Sequence, residues 1–303
     1  MPRKPSARPK SPAIVLEGGA MRGIFTAGVV DVLLENRLDG FSEVWGTSAG
    51  AINSVSFKSR QLGRQMRGWL AFRDDRRMMS LFSLARTGNI VGNDFLYYEV
   101  QSDIDPFDSE AFEGNPMRMW ACASDVVFGQ PAYLEVAHLP EDMPKVIASA
   151  SMPLLSSMVE IDGHLYLDGG GTDSVPVEVA LGLEGARRPE DAGPAPERAL
   201  VVLTRPRDYV RPALSATRTA AYRRRYDQYP YYLEALLSRP ERYNAQHERI
   251  LELEREGRVV VIAPAETLAV GLPETSGERL LRAYLAGRSQ AEASLDAIRE
   301  LLS

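Results

Sequence analysis

The sequence holds one cysteine and three histidines in 303 residues. With Cys122 alone no intrachain disulfide can form, so a reducing compartment is permitted. Cys122 stands in the apolar run Met119-Trp120-Ala121-Cys122-Ala123, which predicts a buried structural thiol rather than a reactive one. No convincing metal-ligand cluster is present, and neither a metal nor another cofactor is expected. No uninterrupted apolar run approaches eighteen residues, so a transmembrane helix is not expected. Positive charge is also in deficit. Forty-one acidic against 35 basic side chains leave a formal net charge of −6, which argues against a dedicated nucleic-acid binder. Internal repeats are lacking as well.

What remains is ordinary globular composition, 45% hydrophobic and 25% charged, enough for one large domain or two small ones. Residues 1–12 carry Arg3, Lys4, Arg8 and Lys10 among prolines, without the apolar stretch a signal peptide needs, and read as a disordered basic tail. These features together suggest a cytoplasmic protein, which would reach a membrane only peripherally, at its inner surface.

Ala13 to Glu17 (AIVLE) is a short apolar run, as expected of a strand buried on both faces. Gly18 to Gly23 breaks it, and Phe25, Val29, Val32 and Leu33 then follow at helical spacing. A second strand near Glu43 to Trp45 runs into Gly46-Thr47-Ser48-Ala49-Gly50 and another helical stretch. Two strand-turn-helix units predict an α/β fold with a mostly parallel central sheet flanked by helices. Further on, residues 61–80 read as helical and 87–116 as loops with short elements. Strands are expected at 117–123, 131–136 and 164–167, with a helix at 143–151 and a short one from Pro176 to Leu183. Residues 185–198 read as a loop, Ala199 to Thr204 as a buried strand, 214–256 as helical, Arg258 to Ala263 as a late strand and 277–302 as a last helix. The expected division is a core over 13–205 and a helical C-terminal extension over 206–303, whose one strand returns to the core sheet.

Three motifs carry chemistry. Gly46-Thr47-Ser48-Ala49-Gly50 fits G-x-S-x-G, in which a sharp strand-to-helix turn exposes the serine oxygen and Gly46 and Gly50 leave room for neighbouring backbone. Chance alone produces the pattern in roughly one chain in ten of this length, so its placement between strand and helix matters more than its letters. Gly18-Gly19-Ala20-Met21-Arg22-Gly23 is a small-residue loop whose N–H groups can face one point, forming a nest for a phosphate or an oxyanion. Arg22 could bind substrate phosphate or fix the loop through a salt bridge. Asp168-Gly169-Gly170 ends the strand-like His164-Leu165-Tyr166-Leu167, where Asp168 can project toward a neighbouring site or simply belong to a hairpin turn.

A serine nucleophile needs a base. His138 lies in a polar loop, and His164 within the strand leading to Asp168. The order Ser48, Asp168, His247 matches the chain order of an α/β-hydrolase triad, but His247 falls inside a charged helical stretch and reads as a solvated surface residue. The simpler reading is a Ser–Asp dyad. A dinucleotide site is disfavoured because the glycine loop lacks the middle glycine of G-x-G-x-x-G and the acid about twenty residues on, Asp39, lies in a turn.

With these motifs in order, GGAMRG at 18–23, GTSAG at 46–50 and DGG at 168–170, the chain resembles the patatin-like phospholipases. The run Ile147 to Pro153 (IASASMP) and the later LTRPRDY, RRRYDQYP and RVVVIAP segments extend the likeness over nearly the whole chain. The resemblance implies a lipid acyl-ester hydrolase, of phospholipase A or lysophospholipase kind, with Ser48 as nucleophile, Asp168 as base, and N–H groups around Gly19 and Ala20 as oxyanion hole. Expected partners are a lipid or other acyl ester and a peripheral membrane surface, not nucleic acid. Ala20 stands where the family often has Gly, which matters if that residue is left-handed. The alternative is a catalytically silent scaffold that binds lipid or a partner. Arg223-Arg224-Arg225 between tyrosines reads as a solvated helix face before a headgroup contact. Met78-Met79 with Leu81 and Phe82 reads as core before an acyl pocket.

Overall fold

The structure, a computed structural model, describes residues 11–303; the basic tail read over 1–12 therefore lies, but for its last two residues, outside the described residues. Strands β1 (Ala13–Leu16), β2 (Glu43–Thr47), β3 (Arg118–Asp125), β4 (Gln130–Glu135), β5 (Val159–Ile161), β6 (His164–Asp168), β7 (Ala199–Val202) and β8 (Val259–Ile262) form one sheet of order β5-β6-β3-β2-β1-β7-β8, with β4 on β3. The run from β3 through β2, β1 and β7 to β8 is parallel, and β4, β5 and β6 add an antiparallel margin. This is the α/β architecture read from the two strand-turn-helix units.

Alternation along the central strands divides the core between two faces. Ile14, Leu16, Val44, Met119, Ala121, Leu200 and Val202 point into one apolar layer, while Ala13, Val15, Trp45, Trp120, Ala199 and Val201 point into the other. On the second face Trp45 and Trp120 stack with ring centroids 5.0 Å apart. The fully buried Glu43 is held there by Arg188 at 2.6 Å and Trp45 Nε1 at 2.9 Å.

The helices are α1 (Gly23–Glu35), α2 (Ala49–Lys58), α3 (Arg64–Phe72), α4 (Leu81–Thr87), α5 (Ser109–Gly114), α6 (Met143–Ala150), α7 (Val177–Ala180), α8 (Ala216–Tyr226), α9 (Pro230–Leu237), α10 (Arg239–Arg255), α11 (Gly277–Ala293) and α12 (Leu295–Leu302). Helix α1 is buried on every side over its first three turns, because α11 lies across its outer face. The crossing is backbone-close. A methyl group at Gly28 would sit 2.1 Å from Tyr284 O, and one at Gly287 would sit 2.0 Å from Phe25 O.

Several elements differ from the sequence expectation. Only Arg64–Phe72 of the 61–80 stretch is helical. Beyond it the chain turns at Asp75, whose carboxylate accepts from Arg77 N–H, and Met79 bridges to Val91. Residues 94–104, inside the stretch read as loops with short elements, form an eleven-residue π-helical segment that buries Phe95, Tyr97 and Val100. The last helix is two helices, broken at Ser294, whose hydroxyl donates to Gln290 O. Strand β5 was not anticipated. It pairs with β6 through a tight turn in which Asp162 and Gly163 both have positive φ, the Asp-Gly hairpin geometry. Among the described residues no helix is long and apolar enough to cross a membrane.

Candidate active site

Ser48 sits between β2 and α2 with φ 55° and ψ −122°, a conformation that an L-residue adopts only when its surroundings impose it. They do so by crowding. A methyl group at Gly50 would lie 2.1 Å from Leu16 O, and one at Gly46 would lie 2.6 Å from Ala51 N. Ser48 N–H donates to Ser149 Oγ at 2.9 Å, and Ser149 Oγ donates to Cys122 O at 2.6 Å. Ser149 is fully buried on α6 and ties the turn to β3. Ser149 lies inside the IASASMP run, but a serine acting as a buried tether has no spacing signature by which sequence could single it out.

The glycine loop lies against this turn. Asn53 Nδ2, from α2, donates to Gly23 O and Ala49 O, and Thr204 Oγ1 donates to Gly18 O. Glu17 at the end of β1 accepts from Thr204 N–H and Tyr243 Oη, so β7 and α10 both help fix the loop. Of the six loop residues named from sequence, Gly18 N–H donates to Ser174 O, Arg22 N–H to Gly19 O, and Gly23 N–H caps the short turn before it. Among the described residues the N–H groups of Gly19 and Ala20 make no such bond. The φ of Ala20 is +48°, the left-handed region in which the departure from glycine matters, so it carries backbone strain.

Asp168 ends β6. Its N–H donates to Ser151 O, its carbonyl accepts from Ser124 Oγ, and its Oδ1 accepts from Gly170 N–H at 2.8 Å. Ser48 and Asp168 are each 6% exposed. Burial pushes the Asp168 pKa above the usual carboxylate value, opposed by a hydrogen bond from the Ser48 side chain, by Gly170 N–H and by the charge of Arg239. The two motif residues, 120 positions apart in sequence, thus meet in one buried site.

The histidines do not join them. His247, read as solvated, is 5% exposed, and its Nε2 pairs with Arg207 O on the inner side of α10. A charged helix hides this face from a composition argument, since α10 also buries Tyr243, Ile250 and Leu253. His164 pairs with Asp125 and His138 with Glu113, both toward solvent. Cys122 is buried, its thiol pKa raised by burial. Among the described residues no group of three or more His, Cys, Asp or Glu is placed to hold a metal ion.

Two spaces meet at Ser48. One is a cavity of about 320 Å³ lined by Gly19, Ala20, Asp168 and five arginines: Arg22, Arg205, Arg211, Arg218 and Arg239. The other is an apolar slot of about 30 Å³ lined by Trp69, Met78, Met79, Leu96, Tyr97 and Met152. Met78 and Met79 therefore reach the site, while Leu81 and Phe82 are 75% and 57% exposed. Arg223, Arg224 and Arg225 lie on the solvated side of α8 above buried Tyr222 and Tyr226. The salt bridge considered for Arg22 is not formed: among the described residues no carboxylate comes within ion-pair distance of it.

A mixed α/β sheet that brings a strained serine elbow, a small-residue loop and an Asp-Gly-Gly turn together defines a patatin-like class of fold. The chain belongs to the patatin-like phospholipase family, whose family model (Patatin-like phospholipase) matches residues 14–181. A second match, to a domain of unknown function (DUF6363), covers residues 229–303. The uncharacterized protein YjjU of Escherichia coli (strain K12) is 33% identical over 186 residues, which are 58% of this chain and 50% of YjjU; the match thus spans half the length of that relative. The crystal structure of VipD from Legionella pneumophila is similar with a TM-score of 0.44 and 13% identity, covering 95% of this chain and 67% of VipD.

Proposed function

We propose that this protein is a serine acyl-ester hydrolase acting on lipid-like esters, with Ser48 as nucleophile and Asp168 as its base. The observation that carries the reading is the meeting of a strained, buried Ser48 with the Asp168 carboxylate beside two uncommitted N–H groups. Ser48 Oγ attacks the ester carbonyl while Asp168 takes its proton. The oxyanion that forms is met by the N–H groups of Gly19 and Ala20, and each such donor is worth about 10²–10³ in rate. Asp168 returns the proton to the leaving alcohol. Water, deprotonated by the same carboxylate, then attacks the acyl-enzyme, and Ser48 leaves with its proton restored. No histidine is called on, in keeping with the sites of His138, His164 and His247 far along other hydrogen bonds.

The test is hydrolysis of a chromogenic acyl-ester series by the wild type, Ser48→Ala and Asp168→Asn. The wild type is expected to turn over, and each variant to lose at least about 10³-fold in kcat/KM while keeping its fold. Wild-type protein inert on every ester, or Ser48→Ala retaining activity, overturns the reading and leaves a lipid-binding scaffold in its place.

A further inference from the structure

The proposed nucleophile lies at a boundary between two kinds of lining, and the arginine side is chemically lopsided. Five guanidinium groups face the cavity, and Asp168 is the one carboxylate in its lining. None of the five forms an ion pair with any described residue, whereas arginines elsewhere in the described residues do, Arg288 with Glu35 and Arg118 with Glu135 among them. The Nε–H groups of Arg22, Arg205, Arg211 and Arg239 are buried and have no acceptor. A partly buried cation without a counter-charge is costly, so five of them around one cavity favour an anion that enters it.

The guanidinium planes are also held in place by contacts that leave their donors open. Arg205 lies over the Tyr209 ring at 4.3 Å and Arg211 over the Tyr243 ring at 4.0 Å. An aromatic face steadies the cation and takes none of its in-plane N–H groups. The positions come from five separate places: the glycine loop, the two sides of the segment after β7, helix α8 and the first residue of α10. Burial and mutual repulsion depress the pKa of Arg22 and of Arg239, for which the neighbours are Arg205 and Arg211 respectively.

We infer that the arginine cavity is a headgroup site selecting acyl esters whose alcohol part carries a phosphate monoester and no cationic group. This rests on the ester-hydrolase reading and adds the substrate class to it. The acyl group enters the methionine-lined slot on one side of Ser48, and the phosphate-bearing alcohol lies in the cavity on the other. A phosphomonoester brings close to two negative charges and three acceptor oxygens to open guanidinium donors. A phosphocholine head brings no net charge and would place a quaternary ammonium among five cations. The C-terminal region acquires a role by the same geometry. Arg211, Arg218, Arg239 and the Val270-Gly271-Leu272 segment come from residues beyond 205 and wall the cavity.

The experiment compares three esters of one acyl chain: 1-acylglycerol 3-phosphate, 1-acylglycerophosphocholine and 1-acylglycerol. The expected kcat/KM for the phosphate ester exceeds that for the choline ester by at least about tenfold, equivalent to about 1.4 kcal/mol. In the double variant Arg211→Gln/Arg218→Gln that ratio is expected to fall toward one. A ratio measured within one preparation is insensitive to partial misfolding. A wild-type ratio near or below one, or a double variant that keeps the wild-type ratio, overturns the inference and leaves the hydrolase reading standing. Binding supplies the converse separation. The Ser48→Ala protein is titrated calorimetrically with the ether-linked 1-alkylglycerol 3-phosphate, its phosphocholine counterpart and inorganic phosphate. Preferential binding of the ether phosphate supports the headgroup site even if no ester is hydrolysed. Inorganic phosphate binding as tightly as the ether phosphate makes the cavity a free-phosphate site and overturns the assignment.

Discussion

Asp168 is a buried carboxylate whose pKa is raised chiefly by burial, and that direction has consequences for both rate and stability. A base works deprotonated, so kcat/KM is expected to fall on the acid side through a pKa lying above the ordinary 3.8. The linkage to stability runs the other way. A carboxyl with a raised folded-state pKa stabilises the fold fully below the unfolded-state value, and that contribution is lost as pH rises through the folded-state value. Asp168→Asn, which removes the charge and keeps an oxygen for Gly170 N–H, is therefore expected to raise Tm at pH 7 and to lose that advantage toward acid pH. Thermal denaturation of both proteins across pH checks it; a variant less stable at every pH would count against the burial argument. Ala20 supports a second prediction at this scale. With φ at +48°, its Cβ costs about 1–2 kcal/mol that glycine avoids, and a folded-chain gain of that order, reduced by the greater unfolded-state freedom of glycine, is expected for Ala20→Gly. Urea denaturation of the variant measures it, and a loss of stability would show that the methyl contact outweighs the backbone strain.

At the scale of elements, the apolar slot is the part of the site most open to redesign. It is walled by Met78 and Met79, which precede α4, and by Leu96 and Tyr97 of the π-helical segment. At about 30 Å³ it has the volume of roughly one water molecule in the liquid, so an acyl chain enters only as these side chains move. Methionine, unbranched with three rotatable bonds, is suited to that. Met79→Ala is expected to shift the chain-length optimum of ester hydrolysis upward by several methylenes. An unchanged profile would place the acyl group elsewhere. The neighbouring helices show why this region was hard to read. Buried Phe95, Tyr97 and Val100 follow neither strand nor α-helical spacing, because five-residue backbone bonding resets the period.

At the scale of the molecule, the region beyond residue 205 is woven into the sheet and the site. Strand β8 pairs with β7 along its whole length, α11 closes over α1, and α10 carries Tyr243 to Glu17 and Arg239 to the cavity over Asp168. We therefore expect that the core over 13–205 and the extension over 206–303 do not fold apart. A chain ending at residue 205 would expose the β7 edge and the outer face of α1. It is expected to lose the cooperative thermal transition seen by near-UV circular dichroism. A cooperative, monomeric 1–205 fragment would show that the core is self-sufficient.

What the sequence determined by itself was local. Short β-branched runs next to glycine loops, such as AIVLE before GGAMRG, specify strand, turn and helix through neighbouring residues alone. The order of GGAMRG, GTSAG and DGG therefore made fold class and family legible, together with Ser48 and Asp168 as candidates. The Asp-Gly hairpin before β6 was equally local and could have been read. Tertiary structure alone decided what depends on which distant groups share a space. It buried the inner face of α10 and so took His247 from solvent to a backbone carbonyl, and it imposed a positive φ on Ala20 through the packing of its loop. It also gathered Arg22, Arg205, Arg211, Arg218 and Arg239 around one cavity. Charge counted along a chain of net −6 cannot reveal such a cluster, because the field at a site is set by distance in space rather than by separation in sequence.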